Sequence, residues 1–159
     1  MALPESTPTA RFLADAMLGR LAHWLRALGY DTVYDAHLAD ADMVQQARRE
    51  NRIVLTRDQS LPQEWHLDNC LLVEDTSPLL QLRQVVQHFD LPWQTHWFSR
   101  CMLCNTLLEP VAREEVAQQV PSYVFEQHRT FRHCSACRRL YWPGTHVDHM
   151  QDQLRQVLF

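Results

Sequence analysis

Residues 11–90 alternate short apolar segments with longer segments of helical period, and this alternation limits the possible folds more than any other feature of the chain. The short segments predict four β-strands, at residues 11–15, 31–34, 52–56 and 70–73. The longer segments carry apolar residues three and four positions apart, which predicts amphipathic helices over residues 16–28, 41–51 and 78–90. Strands that alternate with helices of this length form βαβ units. We therefore predict an α/β domain with a parallel sheet.

Two glycines mark the first predicted helix. Gly29 follows its apolar stripe and is expected to end it, because glycine readily adopts the left-handed conformation after a helix. Gly19 lies inside the helix and costs about 1 kcal/mol there relative to alanine. Close approach of another chain segment would explain Gly19, and so would a tolerated defect.

The composition changes after about residue 91. The segment LPWQTHWFSR is aromatic and lacks a clean period, and cysteines, short segments and turns dominate from Cys101 onward. We therefore predict two domains, an α/β domain over residues 11–92 and a small cysteine-containing domain over residues 98–150.

Acidic residues follow the predicted strands of the first domain. Asp15, Asp58 and the Glu74–Asp75 pair come directly after three strands, and Asp40 precedes the second helix. Ligands of open parallel sheets bind at the carboxyl ends of the strands, so these carboxylates are expected on one edge. Clustered carboxylates favour a hard cation such as Mg²⁺ or Mn²⁺. Taken singly, Asp15, Asp40 and Asp58 could instead cap helices or turns, at about 1 kcal/mol each.

The cysteines form two Cys-x-x-Cys pairs, CMLC at residues 101–104 and CSAC at residues 134–137. Two such pairs complete a tetrahedral zinc site, and four thiolates leave no open position for catalysis. We therefore predict a structural zinc bound by Cys101, Cys104, Cys134 and Cys137. Two disulfides or a redox pair are the alternatives, although disulfides are rare in a cytoplasm. Cys70 lies in a predicted strand and is expected to be a small core residue.

All fifteen basic residues are arginines, and the net charge is −4, which argues against a chain that binds nucleic acid over its whole surface. Arg20 and Arg57 lie close to the acids in sequence and are candidates for contacts with RNA phosphates. Arg26 is expected on a solvated face. A GC-rich coding sequence would also explain the arginine bias. No membrane segment or signal peptide is visible, so we expect a cytoplasmic protein with no membrane partner.

Two long segments resemble the Mut-seven C-terminal ribonuclease domain family: DAMLGRLAHWLRALGYDT (15–32) and DADMVQQARRENRIVLTRD (40–58). The resemblance implies a PIN-like nuclease fold in which Asp15, Asp40 and Asp58 bind the catalytic Mg²⁺ or Mn²⁺. It makes Asp42 a supporting candidate, and Asp75 could supply a fourth acid.

The same family carries a zinc ribbon followed by a Tyr-Trp…Gly-Thr-His segment, which YWPGTHVDHM (141–150) matches. Its Trp142 and Tyr141 could stack on bases, but we expect them in the core of the small domain. His146 and His149 have helical spacing, whereas the preceding PGT indicates a turn. Packing or RNA contact is favoured for His146 over metal binding.

The sequence thus predicts a metal-dependent ribonuclease, with RNA as substrate, a structural zinc and a catalytic Mg²⁺ or Mn²⁺. One alternative is a catalytically inactive module of the same fold that binds RNA or protein. A phosphatase is a third reading, but no aspartate stands in a nucleophile motif such as D-x-D-x-T.

Overall fold

The structure, a computed structural model, describes residues 9–159. These residues form two compact units, of which the first ends at Asn105 and the second runs from Thr106 to Phe159. The domain limits expected from the sequence, 11–92 and 98–150, stay a prediction. Within residues 9–159, no helix has the length and apolar character needed to cross a membrane.

The first unit contains a parallel sheet of four strands in the order β2-β1-β3-β4. The strands are β1 (Arg11–Ala14), β2 (Asp31–Tyr34), β3 (Ile53–Thr56) and β4 (Cys70–Leu72). Their parallel pairing confirms the predicted α/β class. Ala14 at the end of β1 lies in register with Tyr34 and Leu55, so the three strands finish together on one edge of the sheet.

Three helices connect these strands, α1 (Gly19–Ala27), α2 (Asp40–Glu50) and α3 (Leu61–Glu64), and α4 (Pro78–His88) follows β4. Pro78 occupies the start of α4, where its missing N–H has no helical partner to lose. Ala39 caps α2, so Asp40 is its first residue and the capping role considered for Asp40 is wrong. The charge of Asp40 still lies favourably at the positive end of the helix dipole.

The helix predicted over residues 16–28 is interrupted at its start. A 3₁₀ turn covers Ala16–Leu18, and α1 begins only at Gly19. The Ala16 N–H donates to Oδ1 of Asp15 at 2.7 Å, and the Ala16 carbonyl accepts a hydrogen bond of 2.9 Å from the Tyr34 hydroxyl. Both contacts engage backbone groups of Ala16, the first residue of the turn.

Both glycines have a structural reason. Gly29 has φ of 93° and ends α1, with its N–H bonded to the Arg26 carbonyl and the Tyr30 N–H to the Leu25 carbonyl. This is the paired hydrogen bonding of a Schellman motif. At Gly19, a Cβ atom would lie 2.9 Å from the ring and hydroxyl of Tyr34. Close approach, rather than a tolerated defect, therefore explains Gly19.

The core of the first unit lies on both faces of the sheet, because successive residues of β1 point to opposite sides. On one face, Leu13 packs in a buried cluster with Met43, Ala47, Val54 and Leu61, and Cys70 packs against this cluster as expected. On the other face, the ring of Phe12 meets Tyr30 and Phe89 edge to face at 6.0 and 5.8 Å. Full burial of each large side chain stabilises the fold by roughly 1.5–3 kcal/mol.

The second unit contains an antiparallel sheet in the order β5-β6-β7, formed by β5 (Glu109–Val111), β6 (Phe131–His133) and β7 (Leu140–Tyr141). Its helices are α5 (Arg113–Val116), α6 (Ser122–Gln127) and α7 (Thr145–Leu158). Val116, Val124 and Phe131 form the core, and Trp142 packs against them, which confirms the core role expected for Trp142. His146 and His149 lie in α7, so their helical spacing and not the turn signal of the preceding PGT describes their local structure.

Candidate functional site

The strand order creates a topological switch point between β1 and β3. The chain leaves β1 for β2 on one side and leaves β3 for β4 on the other. In open α/β sheets, ligands bind in the crevice outside the carboxyl ends of the strands at such a point. Asp15 directly follows β1, and Asp58 lies two residues after β3. Asp15 and Asp58, two of the three predicted acids, therefore flank the switch point.

Asp15 is held in place by its backbone and by both carboxylate oxygens. Its N–H donates to the Leu55 carbonyl at 2.9 Å, which extends the pairing of β1 with β3 by one residue. Its Oδ1 accepts the 2.7 Å hydrogen bond from the Ala16 N–H, and its Oδ2 accepts one of 2.8 Å from the Thr56 hydroxyl. The half-buried carboxylate therefore has a fixed orientation, and each oxygen retains a lone pair.

Thr56 connects the two acids. Its side chain is fully buried at the end of β3, and its hydroxyl oxygen accepts a 3.0 Å hydrogen bond from the Asp58 N–H while the hydroxyl donates to Asp15. Thr56 was not among the residues predicted from the sequence, although it ends a predicted strand two positions before Asp58.

Asp58 is exposed, and its Oδ1 accepts hydrogen bonds from the hydroxyl and the N–H of Ser60 at 2.7 and 2.9 Å. Both bonds lower the pKa of Asp58 below its ordinary value, and the bond from the Ser60 hydroxyl has the larger effect. The group is thus a carboxylate at neutral pH. Oδ1 is therefore oriented by the turn.

Asp40 and Asp42 are exposed in the first turn of α2. Among the described residues, no hydrogen bond joins the Asp40 side chain to Asp15 or Asp58. The convergence of the three acids on one cation stays a prediction. Asp75 is half-buried after β4, and its carbonyl accepts a 2.9 Å hydrogen bond from the Gln81 side chain. A role for Asp75 as a fourth acid is likewise untested.

Arg57 lies beside the acids and has an unused donor. One of its terminal nitrogens is 3.5 Å from the Glu74 carbonyl, while its buried Nε has no hydrogen-bond partner in the described part of the chain. A buried donor without a partner is unusual. Arg20 is exposed on α1. Phosphate binding by both arginines remains a prediction.

Arg26 differs from its prediction. The sequence placed it on a solvated face, but the side chain is only 7% exposed, so this prediction was wrong. Its guanidinium donates to the carbonyls of Thr32, Met102 and Leu103. No periodic signal identifies such a residue, because its partners are backbone atoms more than seventy positions away in two of the three cases.

The four predicted zinc ligands come together. The Sγ atoms of Cys101, Cys104, Cys134 and Cys137 all lie within 4.8 Å of one another, and among the described residues they are the one group of three or more metal-binding side chains at such distances. Zinc with sulfur at about 2.3 Å in a tetrahedron separates the sulfurs by about 3.8 Å, so the group fits. All five cysteines of the chain are thiols rather than disulfides.

The two cysteine pairs share one backbone feature. The residue after the second cysteine of each pair is left-handed, with φ of 73° at Asn105 and 63° at Arg138. Neither residue is glycine, so this conformation is uncommon. In each pair, the N–H of this residue donates to the carbonyl of the first cysteine: Asn105 to Cys101 at 2.9 Å, and Arg138 to Cys134 at 2.8 Å. Each pair is thus a tight knuckle, as a structural zinc site requires.

The histidines of α7 are not part of this group. The ring of His146 meets that of Trp142 at right angles, with the ring centres 6.3 Å apart. This contact supports the packing role favoured for His146 over metal binding.

The comparison with protein families matches nearly the whole chain. The family model described as the Mut7-C RNAse domain matches residues 10–154. No curated protein and no solved structure matches the chain. The match spans both units, with the α/β sheet and its acids as well as the four cysteines, and the chain therefore belongs to the Mut7-C RNAse domain family.

Proposed function

We propose that the chain is a ribonuclease that depends on Mg²⁺ or Mn²⁺ and cleaves RNA phosphodiester bonds at the carboxyl edge of a PIN-like sheet. The observation that carries the proposal is the pair of acids at the switch point: the Thr56 hydroxyl donates to the carboxylate of Asp15 and accepts from the backbone N–H of Asp58. Family membership supports RNA as the substrate.

The donor set suits a hard cation. Asp15 offers half-buried oxygens of fixed orientation, Asp58 offers an exposed and ionised carboxylate, and Asp40 is our proposed third ligand. Carboxylate oxygens are the ligands that Mg²⁺ and Mn²⁺ prefer. When bound, such a cation lowers the pKa of a water and offsets negative charge on a phosphoryl group.

The chain itself would orient the substrate. Arg57 directly precedes Asp58, and its guanidinium is our proposed contact for a phosphate oxygen beside the acids. The exposed Arg20 on α1 would contact a neighbouring phosphate. Backbone contacts of this kind position RNA but carry little sequence information. The zinc would hold the cysteine knuckles and take no part in the chemistry, since four thiolates fill its shell.

A metal-dependence assay tests the proposal. The purified chain should cleave a fluorescent single-stranded RNA with Mg²⁺ or Mn²⁺ and stop when the cation is withheld. Asp15→Asn should lower the rate at least about a hundredfold. Asp68→Asn is the matched control, because Asp68 is exposed and precedes β4 at the amino edge of the sheet. RNA binding without cleavage under every cation condition would favour a non-catalytic binding module instead.

A further inference from the structure

Two buried arginines donate hydrogen bonds to the backbone in and directly after the first cysteine knuckle, residues 101–104. Arg26 is 7% and Arg100 8% exposed. The guanidinium of Arg26 donates to the carbonyls of Met102 and Leu103 at 3.2 and 3.0 Å, which are the two residues between the cysteines. Arg100 donates to the Asn105 carbonyl at 2.7 Å, directly after Cys104. Met102 and Leu103 lie within the knuckle and Asn105 directly follows it, while the Nε atoms of Arg26 and Arg100 donate to the carbonyls of Thr32 and Gly29.

Neither arginine has a carboxylate partner among the described residues. The contrast is Arg52, also buried, which pairs with Asp31 at 2.8 Å and Glu50 at 2.9 Å. A buried charge is costly unless an opposite charge compensates it. Asp31 acts on both arginines through its charge, but it is already paired with Arg52 and forms an ion pair with neither of them. The described residues therefore compensate the charges of Arg26 and Arg100 only in part.

A metal bound by the cysteines would supply the missing charge. Four thiolates and one Zn²⁺ carry a formal net charge of about −2, which matches two guanidinium groups. We propose that Arg26 and Arg100 are the counter-charges of the metal–thiolate centre, and that they raise its affinity for zinc. They act as positioning residues, because they contact the knuckle backbone and not the ion.

The backbone conformation at the end of the knuckle is held by contacts of Asn105 that involve neither arginine. The effect of the arginine charge can therefore be tested separately from that of the backbone conformation. Asn105, with its left-handed backbone, accepts a 3.0 Å hydrogen bond from the Thr32 N–H on its side-chain oxygen. Its side-chain nitrogen donates to Asp31 at 2.7 Å. The end of the knuckle is therefore fixed to β2 without either arginine, so a lysine at position 26 should keep both the fold and the charge.

Zinc affinity tests the proposal directly. The full chain, loaded with zinc, is titrated with a chromophoric chelator, and the dissociation constants of Arg26→Gln, Arg26→Lys and wild type are compared. Loss of an outer-shell partner commonly weakens metal binding about 10–100-fold, and we expect a loss of that size for Arg26→Gln. Arg26→Lys should stay within about threefold of wild type, because it retains the charge. Arg83→Gln, exposed on α4, is the matched control and should not change affinity.

Cobalt substitution adds a spectroscopic readout. The visible bands of Co²⁺ bound by four thiolates should be the same in all variants, because the ligands are unchanged. Wild-type affinity in Arg26→Gln would overturn the proposal. A loss of zinc affinity in Arg26→Lys as large as that in Arg26→Gln would also overturn it, because the packing of the arginine and not its charge would then determine the affinity. If Arg26→Gln does not fold, Arg26→Lys and Arg100→Lys decide the question: an affinity loss of more than about tenfold in these folded variants would contradict it.

Discussion

The hydroxyl of Thr56 donates a hydrogen bond of 2.8 Å to Oδ2 of Asp15. The hydroxyl oxygen of Thr56 also accepts a hydrogen bond of 3.0 Å from the Asp58 N–H. Because Thr56 is completely buried at the end of β3, it fixes one carboxylate directly and the start of the loop that carries the other. The two acids are thus oriented by the fold before any ligand binds.

Thr56→Val should disturb the orientation of Asp15 and Asp58 while leaving both carboxylates in the chain. Valine keeps the shape of threonine but leaves the Asp58 N–H and the Asp15 carboxylate each without one partner. Unmade hydrogen bonds of buried groups cost about 1–3 kcal/mol, so the free energy of unfolding should fall by that amount. RNA cleavage should fall about tenfold or more, because misplaced groups lose rate steeply. Thr56→Ser keeps the hydroxyl and should stay close to wild type. Cleavage by Thr56→Val at the wild-type rate would show that the bridge is irrelevant to activity.

Gly19→Ala should destabilise the first unit although alanine is the better helix former. Helix propensity alone favours alanine by about 1 kcal/mol. The added Cβ, however, would lie 2.9 Å from the Tyr34 ring, whose hydroxyl is bonded to the Ala16 carbonyl. Overpacking of this kind costs about 1–3 kcal/mol, which should outweigh the propensity gain in urea unfolding. In a Tyr34→Val background the same substitution should cost less, and an equal cost there would rule out the proposed clash.

Asp31 should make stability fall in acid. Burial alone would raise the pKa of Asp31, but hydrogen bonds from Arg52 and Asn105 and the arginine charges outweigh it and lower the pKa to about 2. A folded-state pKa below the unfolded value contributes stability above the unfolded pKa, and that contribution is lost as pH falls toward the folded value. We expect the wild type to lose about 2 kcal/mol from this group between roughly pH 4 and pH 2.

Asp31→Asn checks this dependence by urea unfolding at several pH values. The variant should be less stable at neutral pH, because buried Arg52 loses a partner at 2.8 Å, and its stability should change less with acid. An unchanged pH slope below pH 4 would show that other carboxylates cause the acid sensitivity.

The purified chain should contain one zinc ion, measured by elemental analysis. Cys134→Ser removes a buried ligand and should abolish stoichiometric zinc. Cys70→Ser is the control, because Cys70 packs against the hydrophobic core and lies outside the cysteine group. Metal-free wild-type protein, or equal zinc content in the Cys134→Ser variant, would contradict the site.

Much of the fold could be predicted because it depends on local patterns. The apolar segments of β2 and β3 and the amphipathic stripe of α4 appear in the structure near their predicted limits. The four-residue helix α3 carries no periodic signal, since it is barely one turn long. At the 3₁₀ turn of Ala16–Leu18, the Ala16 carbonyl accepts a hydrogen bond from Tyr34, a contact between neighbouring strands that no local window contains.

The site was predictable in its residue types but not in its contacts. The positions of Asp15 and Asp58 follow from strand ends, and the cysteine group follows from spacing. Thr56 and Arg26 act through partners that are distant in sequence, so their roles appear only after folding. Arg26 in particular looks like an ordinary charged helical residue until the knuckle carbonyls are placed against it.

The most direct test of the catalytic account is Asp58→Asn, assayed for both cleavage and binding of the same RNA. The substitution removes the exposed charge and keeps the size of the side chain. Cleavage with Mg²⁺ or Mn²⁺ should fall at least about a hundredfold, equivalent to roughly 2.7 kcal/mol of transition-state stabilisation. RNA binding should be retained or slightly tightened, because a negative charge facing the phosphates is gone, and thermal unfolding should change little. Cleavage by Asp58→Asn at the wild-type rate would contradict the account.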